Sequence, residues 1–263
     1  MRRVRLTLEY DGTEFFGWQR QKTGERTVQG ELEAAFGRLP GEHGSAIGAG
    51  RTDAGVHALA MVAHLDTTSE IPDEKLRLAL NAHLPRDVGV LAARSVDGAF
   101  HAQFACAYRR YLYRLRVRRA DPRGVALQRH RVLSVFRGLD VPAMQEAAGS
   151  LTGSHDFSSF ATRETRSRER TVLLCELREE GGELRLHVAA DGFLRGMVRT
   201  IVGTLLWVGK GKLGPDDVPG LLAARDRTLA GHNVAPHGLY FVEAGYRPWD
   251  RERSEVAVRG LVL

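Results

Sequence analysis

The chain has 263 residues, enough for one large or two medium domains around a substantial core. Charged residues make up 27% and apolar residues 43%, an ordinary globular composition with little room for a long disordered tract. The formal charge of +6 comes almost wholly from arginine, since Lys22, Lys75, Lys210 and Lys212 are the only lysines. No apolar run reaches the roughly 18 to 20 residues that span a bilayer, and the first ten residues alternate like a strand without a signal peptide's apolar block. Cys106 and Cys175 stand far apart in strand-like runs. A cytoplasmic protein without a disulfide framework or thiolate metal site is expected.

Val4, Leu6, Leu8 and Tyr10 alternate with Arg3, Arg5, Thr7 and Glu9, the period of a half-buried strand ending at Asp11-Gly12. Thr27 reads as the N-cap of a helix through Val28, Leu32, Ala35, Phe36 and Leu39, stopped by Pro40. A strand over 60–66, a helix opened by Pro72 through Leu76, Leu80 and Leu84, and a strand over 88–93 complete the first half. The second half opens on a strand with Tyr111, Tyr113, Leu115 and Val117 on one face and Arg110, Arg114, Arg116 and Arg118 on the other. One face is expected to pack while the other meets anions.

Pro142 starts a helix that reaches toward Gly153, and strands over 171–178 and 183–190 flank the hairpin signal Gly181-Gly182. After Asp191-Gly192 an apolar helix carries Phe193, Met197, Ile201 and Leu205 on one stripe. Arg195 and Arg199 would stack on one face of it, where like charges cost a few tenths of a kcal/mol unless an anion or solvent separates them. Pro215 opens a short helix, and residues 239–246 close the chain as a strand. The expected class is α+β, with two similar lobes over 1–104 and 105–263. Each lobe would be a mainly antiparallel sheet with helices on one face, and an active-site cleft would lie between them.

Arg109, Arg110, Arg114, Arg116, Arg118, Arg119, Arg123, Arg129, Arg131 and Arg137 crowd one window, opposed inside it by Asp121 alone. Such a stripe is the footprint of a polyanion-binding surface, and equally of an edge strand kept soluble by charge.

Several common motifs fail on inspection. Gly48-Ala49-Gly50 has its third glycine displaced to Gly55 and is followed by Arg51-Thr52-Asp53 rather than by a helix, so a dinucleotide site is not expected. Gly209-Lys210 is followed by Gly211 where a P-loop needs Ser or Thr. The ten histidines form no pair or Cys/His cluster at ligand spacing, and His57, His64, His101 and His187 read as structural. No G-x-S-x-G element supports a serine nucleophile.

What remains is the run from Gly48 to Ala58. Three glycines within eight residues force a tight backbone that a polynucleotide could approach closely. Asp53 sits in it two residues from Arg51. A carboxylate kept ionised beside a guanidinium suits a nucleophile or base that needs no cofactor, while a turn-capping Asp53 neutralised by Arg51 fits the same residues.

Tyr10-Asp11-Gly12 with Phe16-Gly17-Trp18-Gln19, the Gly48 to Ala58 run, Phe100-His101-Ala102 with Arg109-Arg110-Tyr111-Leu112-Tyr113, Gly153-Ser154-His155-Asp156-Phe157, Gly192-Phe193-Leu194 with Met197-Val198-Arg199, and Gly238-Leu239-Tyr240 follow one another in a characteristic order. In that order and spacing the chain resembles the tRNA pseudouridine synthase A family almost end to end. The resemblance implies isomerisation of uridine to pseudouridine at positions 38, 39 and 40 of the tRNA anticodon stem-loop. It also implies base flipping, a homodimer, and no metal or nucleotide cofactor.

The resemblance makes Asp53 the catalytic carboxylate, Tyr111 the ring that stacks on the target base, Arg199 the partner of the aspartate, Arg51 a holder of the flipped nucleotide and Leu239 an apolar wall. Arg109, Arg110, Arg114 and Arg116 are expected to contact phosphate. Gln103 departs from the family, which usually has arginine after Phe-His-Ala, so one phosphate contact is lost or passes to Arg109. Attack of Asp53 at C1′, attack at C6 and abstraction of the C2′ proton all remain open. The competing reading is a non-catalytic RNA-binding module with a structural Asp53. A nuclease or glycosidase would need a second acid near Asp53, and none is close in sequence.

Overall fold

The computed structural model describes residues 1–118, 126–135, 138–162 and 167–259. In chain order the first elements are β1 (Arg2–Tyr10), α1 (Val28–Phe36), β2 (Ile47–Gly48), β3 (His57–Thr67), α2 (Asp73–His83) and β4 (Val88–Val96). Then come β5 (Tyr108–Val117), β6 (Leu133–Val135), α3 (Val141–Gly149), β7 (Gly153–Asp156), β8 (Glu169–Glu180) and β9 (Glu183–Ala190). Helices α4 (Met197–Gly209) and α5 (Asp217–Ala224), strand β10 (Leu239–Gly245) and helix α6 (Arg251–Arg259) follow. The chain divides into two compact units, Met1–Arg109 together with the chain from Tyr240 onward, and Arg110–Leu239. The second lobe, expected to run to residue 263, thus yields its last strand and helix to the first unit.

In the first unit the strand order is β4-β1-β3-β10, with β2 on β3. β1 runs antiparallel to both β3 and β4, and β10 joins β3 in parallel through Tyr240 opposite His57 and Phe241 opposite Ala58. The period-two pattern of β1 is real, since Val4, Leu6 and Leu8 are wholly buried. Thr27 caps α1 by accepting from the Gly30 N–H at 3.2 Å, and the helix buries Val28, Leu32, Ala35 and Phe36 before Gly37 ends it, short of Pro40. α2 starts behind Pro72, with Asp73 and Glu74 at its positive end and His83 in its last turn. It packs on β4 through Leu76 and Leu80, and the Asn81 amide pairs with both main-chain groups of Val90.

In the second unit the order is β5-β9-β8-β7, with β6 parallel to β5. Gly181 (φ 59°) and Gly182 (φ 76°) both lie in the left-handed region, as a two-residue hairpin turn between β8 and β9 requires. α3 begins behind Asp140, whose carboxylate accepts from Ala143 N–H, and it stops at Gly149 rather than reaching Gly153. α4 is apolar nearly all round and forms the core of this unit, with Met197, Val198, Ile201, Val202, Leu205 and Leu206 buried. A Cβ on Gly203 would lie 1.9 Å from the His232 carbonyl oxygen, so only glycine allows that approach.

The α+β class and the two similar sheet-and-helix lobes are as expected. Three local expectations are corrected. α4 starts at Met197, behind a left-handed Gly196 (φ 73°), so Arg195 precedes the helix and shares no helical face with Arg199. The chain does not close on the strand after residue 239, because α6 follows it. The short strands β2, β6 and β7 had no sequence signal. The β5 arginine face is not an open one, as its geometry below makes plain.

Candidate active site

The Gly48 to Val56 run links β2 to β3, and separate segments of the first unit build its floor. A Cβ on Gly48 would sit 2.6 Å from the buried Trp18 ring, so the indole lies against bare main chain. The Trp18 main-chain N–H donates to the Thr52 carbonyl at 3.1 Å, and the Tyr10 hydroxyl meets Thr52 Oγ1 at 2.9 Å. Gly17 (φ 89°) would push a Cβ to 2.4 Å from the Thr52 carbonyl oxygen, and Gly12 one to 2.0 Å from that of Val56. Asp53 to Val56 forms a turn closed by the Val56 N–H on the Asp53 carbonyl at 3.2 Å, with Gly55 (φ 77°) in the position where a type II turn needs a left-handed residue. The Tyr-Asp-Gly and Phe-Gly-Trp-Gln motifs are thus the seat of the Asp53 loop.

On this seat Thr52 points inward, Asp53 is half-buried and Arg51 is exposed. His57 Nδ1 accepts from the Gly12 N–H at 3.0 Å and lies 3.2 Å from the Asp11 carboxylate, and the ring stacks on Tyr240 at 4.7 Å. Arg109 reaches the same loop from its other end. Its Nε donates to the Ala49 carbonyl at 2.9 Å and its Nη2 to the Gln103 carbonyl at 3.0 Å. Arg109 therefore ties the turn after Phe-His-Ala to the Asp53 loop, instead of standing free to replace the arginine missing at 103.

That turn hangs on imidazole acceptors. His64 Nδ1 accepts from Ala102 N–H at 3.1 Å, and His101 Nδ1 accepts from Gln103 and Phe104 N–H at 3.2 and 3.1 Å. Burial first, then the Arg3 and His101 charges, lower the His64 pKa to about 4, so it stays neutral and able to accept.

In the second unit Tyr111 is buried beside the fully buried Tyr113 on one face of β5, and its ring meets Phe193 edge-on at 4.9 Å. The Tyr113 hydroxyl donates to the Ala235 carbonyl at 2.7 Å, and burial drives its pKa up. Arg199 is half-buried on α4 and its Nε donates to the Val234 carbonyl at 2.6 Å. Leu239 is buried at the head of β10. The sequence marks Phe193 within the Gly192-Phe193-Leu194 motif, but nothing in its spacing shows that it meets Tyr111, 82 residues earlier.

The arginines of β5 are not what their spacing suggested. Arg110 is wholly buried with Nη2 at 3.2 Å from His187 Nδ1. Arg114 grips Glu183 bidentately at 2.8 and 2.9 Å, while Arg116 reaches it at 2.7 Å and Arg185 at 3.5 Å. Burial pushes the Glu183 carboxyl up, yet the hydrogen bonds and charges of Arg114 and Arg116 together hold it below the usual range. The counter-charge for Arg114 arrives from β9, 69 residues along the chain, so Arg114, like the wholly buried Arg110, is an internal group. Arg119, Arg123, Arg137 and Asp121 lie outside the described residues.

Both cysteines are free thiols. Among the described residues no group of three His, Cys, Asp or Glu is placed to hold a metal ion, and no helix is long and apolar enough to cross a membrane.

Residues 7–105 and 147–247 match the family described as tRNA pseudouridine synthase. A curated relative from Thermus thermophilus, tRNA pseudouridine synthase A, is 51% identical over 94% of this chain and 97% of its own length. Relatives of the same name from Rhodospirillum centenum and Afipia carboxidovorans are 48% and 45% identical, each over 94% of this chain and 100% of its own length.

Proposed function

The chain belongs to the tRNA pseudouridine synthase family, an isomerase of tRNA uridine, and from that premise we propose that it acts at positions 38, 39 and 40 of the anticodon stem-loop with Asp53 as catalytic carboxylate. The observation that carries the assignment is the seat of the Asp53 loop. Tyr10, Gly12, Gly17 and Trp18, drawn from two separate motifs, all hold the main chain around this one carboxylate, a degree of fixation that catalysis uses and a solvated turn does not need.

The reaction breaks the N1–C1′ bond of uridine and joins C5 to C1′, with no net redox change and no phosphoryl transfer. A stacked base is out of reach, so the target is extruded at a cost of a few kcal/mol and held by stacking and hydrogen bonds. We assign Tyr111 to stack on the extruded base, Leu239 to wall it, Arg51 to hold its nucleotide, and Arg199 to balance charge. Arg116 is the β5 arginine left to meet phosphate, since about a quarter of its side chain remains in solvent. The enzyme is proposed to work in the cytoplasm as a homodimer. Light scattering that found a fully active, concentration-independent monomer would sink the last point.

Asp53→Asn keeps volume and most hydrogen bonding while removing charge and nucleophilicity. It is expected to abolish single-turnover tritium release from 5-³H-uridine tRNA while tRNA affinity holds within a few-fold, because phosphate contacts dominate affinity. A folded variant with substantial turnover refutes the role. RNA binding by a wild type that makes no pseudouridine would favour the non-catalytic module.

A further inference from the structure

Among the described residues, two aromatic side chains are largely exposed, Phe104 at 80% and Phe16 at 58%, and the other large exposed apolar residues are aliphatic. Both rings stand on segments of the first unit that are anchored to the Asp53 loop. Phe104 follows Gln103, whose carbonyl shares the Arg109 guanidinium with the carbonyl of Ala49. Phe16 precedes Gly17, which is lodged against Thr52 and Asp53, and Phe15 accepts from the Gly55 N–H at 3.2 Å.

Neither segment is a loose loop tip. The Phe104 N–H is held by His101 Nδ1, and its ring stacks on the His101 imidazole at 4.3 Å with planes 28° apart. One face of the ring is therefore covered and fixed, while most of the ring is left to solvent. The Phe16 N–H donates to the Arg26 carbonyl at 2.9 Å. Exposed apolar rings held in place beside a functional loop mark a binding surface, and the exposed cations Lys22 and Arg51 lie on the same two segments as Phe16 and Asp53.

Resting on the function proposed above, we propose that Phe104 and Phe16 bind the RNA by stacking on unpaired bases next to the nucleotide presented to Asp53. Every base has a π face, so such platforms add affinity without reading sequence, and a ring already ordered by His101 loses little freedom on binding. The two phenylalanines are positioning groups for the RNA and take no part in bond making.

The test compares wild type with Phe104→Leu, Phe16→Leu, the double variant and Phe104→Tyr. The probe is a fluorescently labelled, unmodified anticodon stem-loop transcript, and tRNA turnover is followed on the same preparations. Each leucine variant is expected to melt like wild type, weaken binding by about 5- to 150-fold, and keep its turnover at saturating RNA, with Phe104→Tyr restoring affinity. Leucine variants that bind and turn over like wild type would overturn the stacking role alone. Affinity lost in the leucine variants of a protein that makes no pseudouridine would leave stacking standing and sink the isomerase reading. Dissociation of a dimer by Phe104→Leu would assign that ring to protein contact and overturn the proposal.

Discussion

Replacing Arg114 by alanine decides whether the β5 arginines serve the fold or the RNA. Arg114 gives Glu183 two charge-assisted hydrogen bonds, with 9% of its own side chain and 2% of the glutamate's left in solvent. Removing one partner of a buried ion pair costs about 3–5 kcal/mol. Arg116 and Arg185 stay on the carboxylate, which places the loss near the lower end, about 3 kcal/mol. At roughly 2–4 °C per kcal/mol for a chain of this size, the melting temperature falls by about 6–12 °C.

The loss has a pH signature. In the wild type a carboxyl held below its ordinary 4.5 contributes stability that is present at neutral pH and lost as the pH falls through its folded value. In Arg114→Ala burial is less opposed, so that acid-sensitive increment shrinks. Calorimetry against pH, with the salt dependence of tRNA affinity on the same samples, is the assay. A phosphate contact would behave oppositely, leaving the melting temperature in place and lowering the salt slope by about 0.9. That outcome would refute the internal role of Arg114.

His64 titrates near 4 when folded and near 6.5 when unfolded, so its contribution is whole above pH 6.5 and is lost as the pH falls toward 4. His64→Asn, which keeps an acceptor for the Ala102 N–H, should flatten that part of the stability profile by about 2 kcal/mol, read by melting from pH 4.5 to 7.5. Tyr111→Phe keeps the ring's edge-on contact with Phe193 and should lose about 100-fold in single-turnover rate if the hydroxyl moves a proton. A melting loss with an unchanged rate would return Tyr111 to the core.

What the sequence disclosed was local. β1, the Thr27 cap and the Gly181-Gly182 turn each rest on residues adjacent to one another, whose pattern or turn chemistry is sufficient. The role of Arg114 depends on Glu183, which the fold of β5 beside β9 supplies, and no spacing within the arginine window could reveal it. Gly196 was visible but read as helix interior, although a glycine there was the clue that the helix had not begun. α6 escaped because the run from Arg251 to Arg259 carries charges at nearly every turn and little apolar period. For the site, the Asp53 motif was legible through its glycines. That Tyr10 and Trp18 support it required the register of β1 against β3.

The return of β10 and α6 to the first unit bears on the order in which the protein is completed during synthesis. Domains generally fold as units, the N-terminal one first. Here the first unit lacks β10 until residues 239–245 emerge, and β10 carries Tyr240 against His57, the wholly buried Phe241, and Glu243, which accepts from the Tyr108 hydroxyl at 2.6 Å. The second unit is one unbroken stretch, Arg110–Leu239. It leaves the ribosome with all its strands, while the unit that bears Asp53 still exposes the side of β3 that β10 will cover. The half of the chain made first is thus the half finished last, and a chain cut short after residue 239 would strand the Asp53 loop on an incomplete sheet.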